Sequence, residues 1–353
     1  MMQARPHLRR LCTAASATSP HSPLNTYKSL IADSPSLRTG YTNFFSRRSG
    51  LNRSSASRFR LQCRSGSFSG QTSGSAPGFV QTNLVALPQA YAFDFLRFCL
   101  ANPRACPVLD VTAPGDPVPR TIAADADLRT DVPKYCVWRD GAMIEERSDV
   151  TELWSDDMVG FLLGCSFSWE HLLHEAYLTP RQIEERCNVP MYRTNLPNAA
   201  IGPFGGNLVV SMRPYLPEQL STVAALTGRY PGAHGAPIHW GDPSEIGVRV
   251  DSSPDWGDQV TIREGEVPVF WACGVTPQEA LRQAKLPLAI THAPGHMFVS
   301  DLTDAEIHVP NLVEDETQSV EIRACRACTS RRTRAQYPTP WKPARKRRGG
   351  ASG

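Results

Sequence analysis

No apolar run in this 353-residue chain approaches the roughly 20 residues that a membrane-spanning helix needs, so no membrane partner is expected. A regular cysteine framework is missing too. The ten cysteines (12, 63, 99, 106, 136, 165, 187, 273, 325 and 328) follow no short repeated spacing. That excludes a small disulfide-stapled secreted scaffold, and the thiols read as reduced. Cys325-Arg-Ala-Cys328 stands without a second ligand pair, which leaves zinc unsupported there. The glycine-rich stretch at Gly66, Gly70, Gly74 and Gly78 has neither GxGxxG spacing nor a Gly-Lys-Ser/Thr ending, so it is no phosphate-binding loop.

Acidic residues are nearly absent from both ends. Residues 1–70 carry eleven Lys/Arg against the single acid Asp33, and residues 323–353 carry ten with no acid. The overall charge of +3 therefore hides a centre with 16 basic and 33 acidic side chains, a net of −17. A body so acidic is a poor nucleic-acid binder. Residues 1–62, rich in Ser, Arg and Thr, have the composition of a mitochondrial transit peptide, with a disordered basic arm as the alternative. A matrix location and a mature terminus between roughly residues 45 and 65 are expected. Residues 314–353 read as a basic tail.

The body, 64–310, has 41% apolar composition behind it and can bury a core. Strands are expected at 81–87, 208–212, 236–239, 267–273 and 286–290, with a hairpin over 135–143 turning at Asp140-Gly141. Helices are expected at 90–100, 151–163, 169–176 and 217–227, at a start marked by Thr179-Pro180-Arg181-Gln182, and from 274 to about 285. Alternation of this kind predicts an α/β fold, a mixed or parallel sheet with flanking helices.

The chain is organised around His234-Gly-Ala-Pro-Ile-His239-Trp-Gly-Asp242-Pro, where two imidazoles and a carboxylate fall between helix-breaking residues. A related turn, Thr291-His292-Ala-Pro-Gly-His296-Met, follows the strand expected at 286–290. Histidines in loops at strand ends suit acid/base work, although backbone-satisfying histidines in tight turns are the plain alternative. The start of the helix at Thr276 offers free amides to a carboxylate. Arg193 and Arg213 are candidates for gripping carboxylates, against the commoner fate of pairing with the body's own acids. Cys165 and Cys273 have no evident activator and read as inert thiols. His234, His239, Asp242 and His296 form a rival metal set, ranked below acid/base histidines because no diagnostic ligand spacing is present.

These motifs together resemble one family. Thr72-Ser-Gly-Ser-Ala-Pro-Gly78, Asn188-Val-Pro-Met-Tyr-Arg-Thr-Asn195, His234-Gly-Ala-Pro237, Gly241-Asp-Pro243, Pro268-Val-Phe-Trp-Ala-Cys-Gly-Val-Thr-Pro277 and Ile290-Thr-His-Ala-Pro-Gly-His-Met297 look like the D-glutamate cyclase family, from about residue 64 to 305. The resemblance implies reversible conversion of D-glutamate to 5-oxo-D-proline and water by an α/β fold of two interleaved parts. Larger eukaryotic members carry a second domain after this one, whereas residues 314–353 here match no part of the family. The implied chemistry needs no cofactor and no metal, only a small-molecule substrate; self-association stays open. The expected acid/base set is His234 and His296 with Asp242 orienting or sharing a proton. Arg193 and Arg213 would hold carboxylate, with Thr276 at a second anion site, and Asn188, Tyr192 and Asn195 would fix the ammonium or ring oxygen. The competing readings are a non-catalytic binder of amino or oxo acids and a metal-assisted hydro-lyase acting on another acid.

Overall fold

The computed structural model describes residues 54–309, all within one compact unit. The arm before Ser54, the basic tail and Cys325-Arg-Ala-Cys328 lie outside the described residues. In chain order the first part runs α1 (Ser54–Arg64), β1 (Phe79–Pro88), α2 (Gln89–Ala101), β2 (Val108–Val111), β3 (Tyr135–Arg139), β4 (Ala142–Arg147) and β5 (Met158–Gly164). Next come α3 (Glu170–Glu175), α4 (Arg181–Glu185), β6 (Met191–Pro197), β7 (Asn207–Tyr215), α5 (Leu220–Gly228), β8 (His239–Trp240) and β9 (Val267–Ala272). The chain returns through α6 (Thr276–Ala284), β10 (Ala289–His292) and β11 (Phe298–Thr303).

β1 is the centre of the larger sheet, ordered β2-β5-β1-β10-β3-β4, with β11 also pairing β1. Its side chains alternate between two cores. Val85 and Leu87 join one with Phe95, Phe98 and Phe161; Leu84 and Ala86 join the other with Leu128, Leu162 and Phe298. A strand covered on both faces reads as a continuous apolar run, as Leu84 to Leu87 does. The smaller sheet, ordered β6-β7-β9-β8, is inserted in sequence between β5 and β10. The interleaving of two parts is therefore as expected, and the chain has mixed helix and strand content.

Strand direction differs from the expectation of parallel units. Every strand pair is antiparallel. β1 and β2 do run the same way across α2, but β5 lies between them and opposes both. The β9–α6–β10 alternation carries the chain from the smaller sheet to the larger one rather than back beside its own strand.

Three local expectations also change. The helix expected over 151–163 is a single 3-10 turn, Thr151–Leu153, followed by β5. Met158–Gly164 is a glycine-containing apolar run that pairs along β1 from Thr82↔Gly164 to Pro88↔Met158, and burial on both faces outweighs its helix-like spacing. Thr179 does not cap α4, because its hydroxyl bonds His174 Nδ1 at 2.9 Å. Thr276 does not cap α6 either: its Oγ1 accepts the Val209 amide at 3.0 Å and ties the helix start to β7.

The described residues begin at Ser54, ten before the expected Arg64. Ala56, Phe59 and Cys63 of α1 pack with Phe79 and Val299. Arg60 is fully buried, donating to the Val299 carbonyl at 2.9 Å and pairing with Asp125 and Asp301. Arg64 grips buried Asp131 through two bonds of 2.7 and 2.6 Å. Removing α1 would leave Asp131 buried without its cation, a costly state. A chain beginning at residue 65 is expected to melt roughly 5 °C or more below one beginning at residue 50, given losses of about 2 kcal/mol or more. Scanning calorimetry of the two checks this, and equal melting would remove α1 from the stable fold.

Candidate functional site

A narrow cleft, about 300 Å³ counting the space open to solvent, lies where residues of the two sheets meet. The larger sheet contributes Asn83 of β1, Cys165 to Phe167 beyond β5, and His292 with the Gly295–Met297 turn beyond β10. The smaller sheet contributes Ser211 of β7 and Cys273 to Val275 between β9 and α6; His234 comes from the loop after α5.

Two backbone contacts build this place. Gly164, at the end of β5, has no Cβ; one added there would lie 1.7 Å from the Gly232 carbonyl oxygen. That contact lets the 231–233 turn press against β5 and deliver His234, which adopts a left-handed conformation at φ 76°. A non-glycine residue held there marks a constrained, functionally placed position. At Gly274 an added Cβ would come within 2.0 Å of the Asn83 carboxamide, so only glycine allows β1 and the start of α6 to meet.

Both cleft histidines are neutral with a fixed tautomer. His234 Nδ1 lies 2.7 Å from the Arg104 carbonyl, and His292 Nδ1 lies 3.2 Å from the Leu84 carbonyl. A carbonyl only accepts, so each Nδ1 carries the proton and each Nε2 is a bare lone pair. Burial pushes both imidazoles down to about 4. His292 Nε2 is buried with no hydrogen-bond partner. The Arg104 side chain also donates to the Ala236 carbonyl, so one loop clasps the histidine turn twice.

Opposite in character are two hydroxyls. Arg213, fully buried, lies between the rings of Trp169 and Trp271, at 5.0 and 5.4 Å. Its guanidinium donates to Ser211 Oγ at 3.1 Å, Ser166 Oγ at 3.0 Å and Glu170 at 2.6 Å. Glu170 in turn accepts from Gln182 at 2.7 Å and from Ser73 at 2.6 Å. Because Ser166 and Ser211 accept from the guanidinium, their own O–H groups are left to donate.

Cys165 and Cys273 line the same cleft as thiols. Burial pushes Cys273 up to about 11 despite the amides of Val275 and Gly274 turned toward its sulfur, and it pushes Cys165 higher still. Both are protonated at neutral pH, as befits inert thiols rather than nucleophiles. The Thr72-Ser73 segment stitches the site together. Thr72 receives the Met297 amide at 3.0 Å and donates its own amide to the Gly295 carbonyl at 2.8 Å, while Ser73 bonds Glu170.

Of the residues singled out from sequence, the structure brings His234 to the cleft and sets Arg213 directly behind it, paired with Glu170 rather than open to a ligand. The others lie elsewhere. His296 bonds the Pro294 carbonyl at 3.1 Å and feels Lys134 and Glu146 on the far side of its turn. Asp242 is exposed and caps the 3-10 turn Pro243–Ile246 through the Ser244 amide, at 2.9 Å. Arg193 pairs with Asp255 at 3.2 Å and Glu279 at 3.1 Å and lies over Trp256, the self-satisfied fate of a surface arginine. Asn188 donates to the Pro294 carbonyl at 3.1 Å and buttresses the Gly295 turn from outside. Tyr192 is buried in an apolar cluster, Asn195 lies against Gly247, and Thr276 is spent on Val209. The rival metal set is dispersed: among the described residues, no three His, Cys, Asp or Glu side chains gather as a metal site.

Sequence reasoning passed over His292, Asn83, Ser166 and Ser211. His292 ends β10 and, two residues after Ile290, continues its buried alternation, which is a strand-face position rather than a turn position. Ser211 stands two before Arg213 on one strand, so the pair shares a face.

Residues 159–301, which carry most of the cleft, match the family described as D-glutamate cyclase. A protein of Rubrobacter xylanophilus described as a "Putative hydro-lyase" is 54% identical over 254 residues, covering 72% of this chain and 98% of its own length. A similarly described protein of Burkholderia multivorans is 54% identical over 259 residues, with 73% and 100% covered. One from Geobacillus kaustophilus is 55% identical over 238 residues, with 67% and 90% covered. On this likeness, this chain belongs to the D-glutamate cyclase family of hydro-lyases.

Proposed function

We propose that the cleft binds D-glutamate and interconverts it with 5-oxo-D-proline and water. The observation that carries the reading is the pairing of opposite polar characters in one small cleft. The bare Nε2 of His234 accepts, and two guanidinium-backed serine hydroxyls donate. A ligand that matches must present both N–H donors and carboxylate acceptors, which describes an amino acid. The family match supports glutamate within that class, and the D configuration rests on that match alone.

In the forward direction the α-ammonium loses a proton to His234, and the free amine attacks the side-chain carboxyl carbon. The C–N bond forms, and one C–O bond of the tetrahedral adduct breaks. The departing oxygen leaves as water with two protons, and the ammonium gives up two in becoming the lactam N–H. The reaction thus needs proton relay but no net proton, electron or co-reactant. Ser166 and Ser211 stabilise the carboxyl oxygens, their O–H groups polarised by Arg213. Arg213 acts through the serines and is a positioning residue.

Chiral chromatography of both directions, with the full chain, tests the reading. Interconversion of D-glutamate and 5-oxo-D-proline with the L forms untouched is expected. A protein that binds 5-oxo-D-proline but turns over neither compound would be a binding module instead. His234→Gln should lower turnover by about a hundredfold or more, while His296→Gln should stay within about threefold. Steady-state kinetics decides, and a larger loss at His296 than at His234 would sink the assignment.

The lowered imidazole pKa values also set a stability trend. The unfolded chain takes up protons below its ordinary histidine value of 6.5, whereas the folded sites do so only near 4. Stability contributed by these groups is therefore full above pH 6.5 and falls as pH drops toward 4, by on the order of 3 kcal/mol per histidine. Denaturant titration across that range should show the fall, and His292→Gln should make it shallower. A flat wild-type profile would mean that these imidazoles are protonated in the fold.

A mitochondrial matrix location is also proposed, supported by the acid-poor arm. N-terminal sequencing of organelle-purified protein should find the terminus before Ser54, so that α1 is retained.

A further inference from the structure

His234 keeps an unfavourable backbone conformation, and the contacts that hold it there extend beyond the cleft. Its φ of 76° and the φ of 67° at Gly235 put two successive residues in the left-handed region, where only the glycine is at ease. Released, a histidine returns to negative φ, and its ring moves with the backbone. The cleft supplies part of the restraint. Trp169 Nε1 donates to the Ala233 carbonyl at 2.8 Å, and the imidazole is tied to the Arg104 carbonyl. The turn itself is closed by the Tyr230 carbonyl, which accepts the Ala233 amide at 2.8 Å and the Gly235 amide at 2.9 Å.

The same turn is gripped by the segment that follows β11. The 3-10 turn Asp304–Glu306 is anchored at its root: the Asp304 amide donates to the Gly78 carbonyl at 3.0 Å, and the Asp304 carboxylate lies 2.9 Å from His171 Nε2 on α3. From that root three successive residues meet the turn. Ile307 packs in the cluster that holds Tyr230 and Ala233, and its Cβ lies 3.8 Å from where a Cβ on Gly232 would stand. The His308 ring lies against the Tyr230 ring, with centroids 5.4 Å apart. The Val309 amide donates to the Arg229 carbonyl at 2.9 Å.

We propose that residues 307–309 form a strap that positions His234 for proton transfer, acting through the 229–233 turn. Its three residues lie outside the cleft lining, so the strap is a positioning element and touches no reacting atom. A general base must stand within hydrogen-bond reach of its proton, and a displacement of about 1 Å costs on the order of a hundredfold in rate. The inference rests on His234 being the base of the proposed reaction.

Val309→Pro removes the amide that bonds Arg229, and Val309→Ala keeps it. Val309 is exposed, so both variants should fold. Histidine-selective 15N labelling of the full chain, with His234→Gln to assign the resonance, reads the imidazole directly. Wild type should show a protonated Nδ1 and a bare Nε2. In Val309→Pro the two nitrogen shifts should draw together as the bond to Arg104 loosens, and kcat should fall roughly tenfold with KM within about threefold. Val309→Ala should match wild type in both. A strap that only stabilises the fold would lower the melting temperature and leave the shifts and kcat in place, which would overturn the proposal. Moved shifts with an unchanged kcat would overturn it too, because a displaced base must slow the reaction. Where Val309→Pro does not fold, Ile307→Ala puts the same question, and failure of both to fold would make the segment a folding element instead. A wild type that turns over no D-glutamate removes the cyclisation reading. The nitrogen shifts then decide the strap alone, supporting it if they draw together and overturning it if they stay.

Discussion

The structure of the cleft depends on a buried ion pair. Arg213 comes from the smaller sheet and Glu170 from the helix that follows β5 of the larger one, and they meet at 2.6 Å with both side chains shielded from solvent. A guanidinium carried alone into such a place would be prohibitively costly. Glu170 supplies the countercharge, and the rings of Trp169 and Trp271 supply the only other surfaces a desolvated cation tolerates well. The terminal nitrogens also donate to Ser166 and Ser211, one from each side of the cleft, while Nε has no hydrogen-bond partner among the described residues. The pair therefore sutures the two sheets and sets the polarity of the hydroxyls in a single act.

Around that pair the sequence spends its unusual residues on close approach. Gly164 and Gly274 each sit where a Cβ would collide with backbone or carboxamide, and each collision lies on the path that brings a polar group to the cleft. The Thr72-Ser73 segment, within the glycine-rich stretch 66–78, is a clasp, bonded to the Gly295 turn on one side and to Glu170 on the other. Small polar residues do this work because their hydroxyls reach backbone groups without demanding space.

Helix α2 was legible from its spacing, the β3–β4 hairpin from its Asp140-Gly141 turn, and β1 from its continuous apolar run. β5, likewise buried on both faces, was merged with the Thr151–Leu153 turn into one apparent helix. Strand direction was illegible for a different reason: alternation along the chain cannot say that α6 passes between sheets. At the site, His234 was visible because glycine and proline flank it. His292 was not, because a histidine completing an apolar strand carries no local mark of its contact with the distant Leu84 carbonyl. The arginines misled in opposite ways. Arg193 found Asp255 and Glu279, partners far away in sequence, while Arg213 was rightly suspected of mattering but turns its charge on Glu170.

The neutral, weakly basic imidazole of His234 is at first sight an odd choice for removing a proton from an ammonium group. An isolated imidazole with a pKa near 4 is a poor base. The proposed substrate changes that balance, because it brings two carboxylates into a cleft whose nearby cation, Arg213, is already neutralised by Glu170. Negative charge close to a buried imidazole raises its proton affinity, and more steeply there than in water. The empty cleft then holds an acceptor ready for an ammonium over the whole neutral range, and basicity appears only with the ligand that requires it. Had His234 been protonated beforehand, it would have paired with the carboxylates and repelled the amine. Desolvation prevents this, so the same burial that makes this group a weak base makes the cleft selective for a substrate carrying both charges.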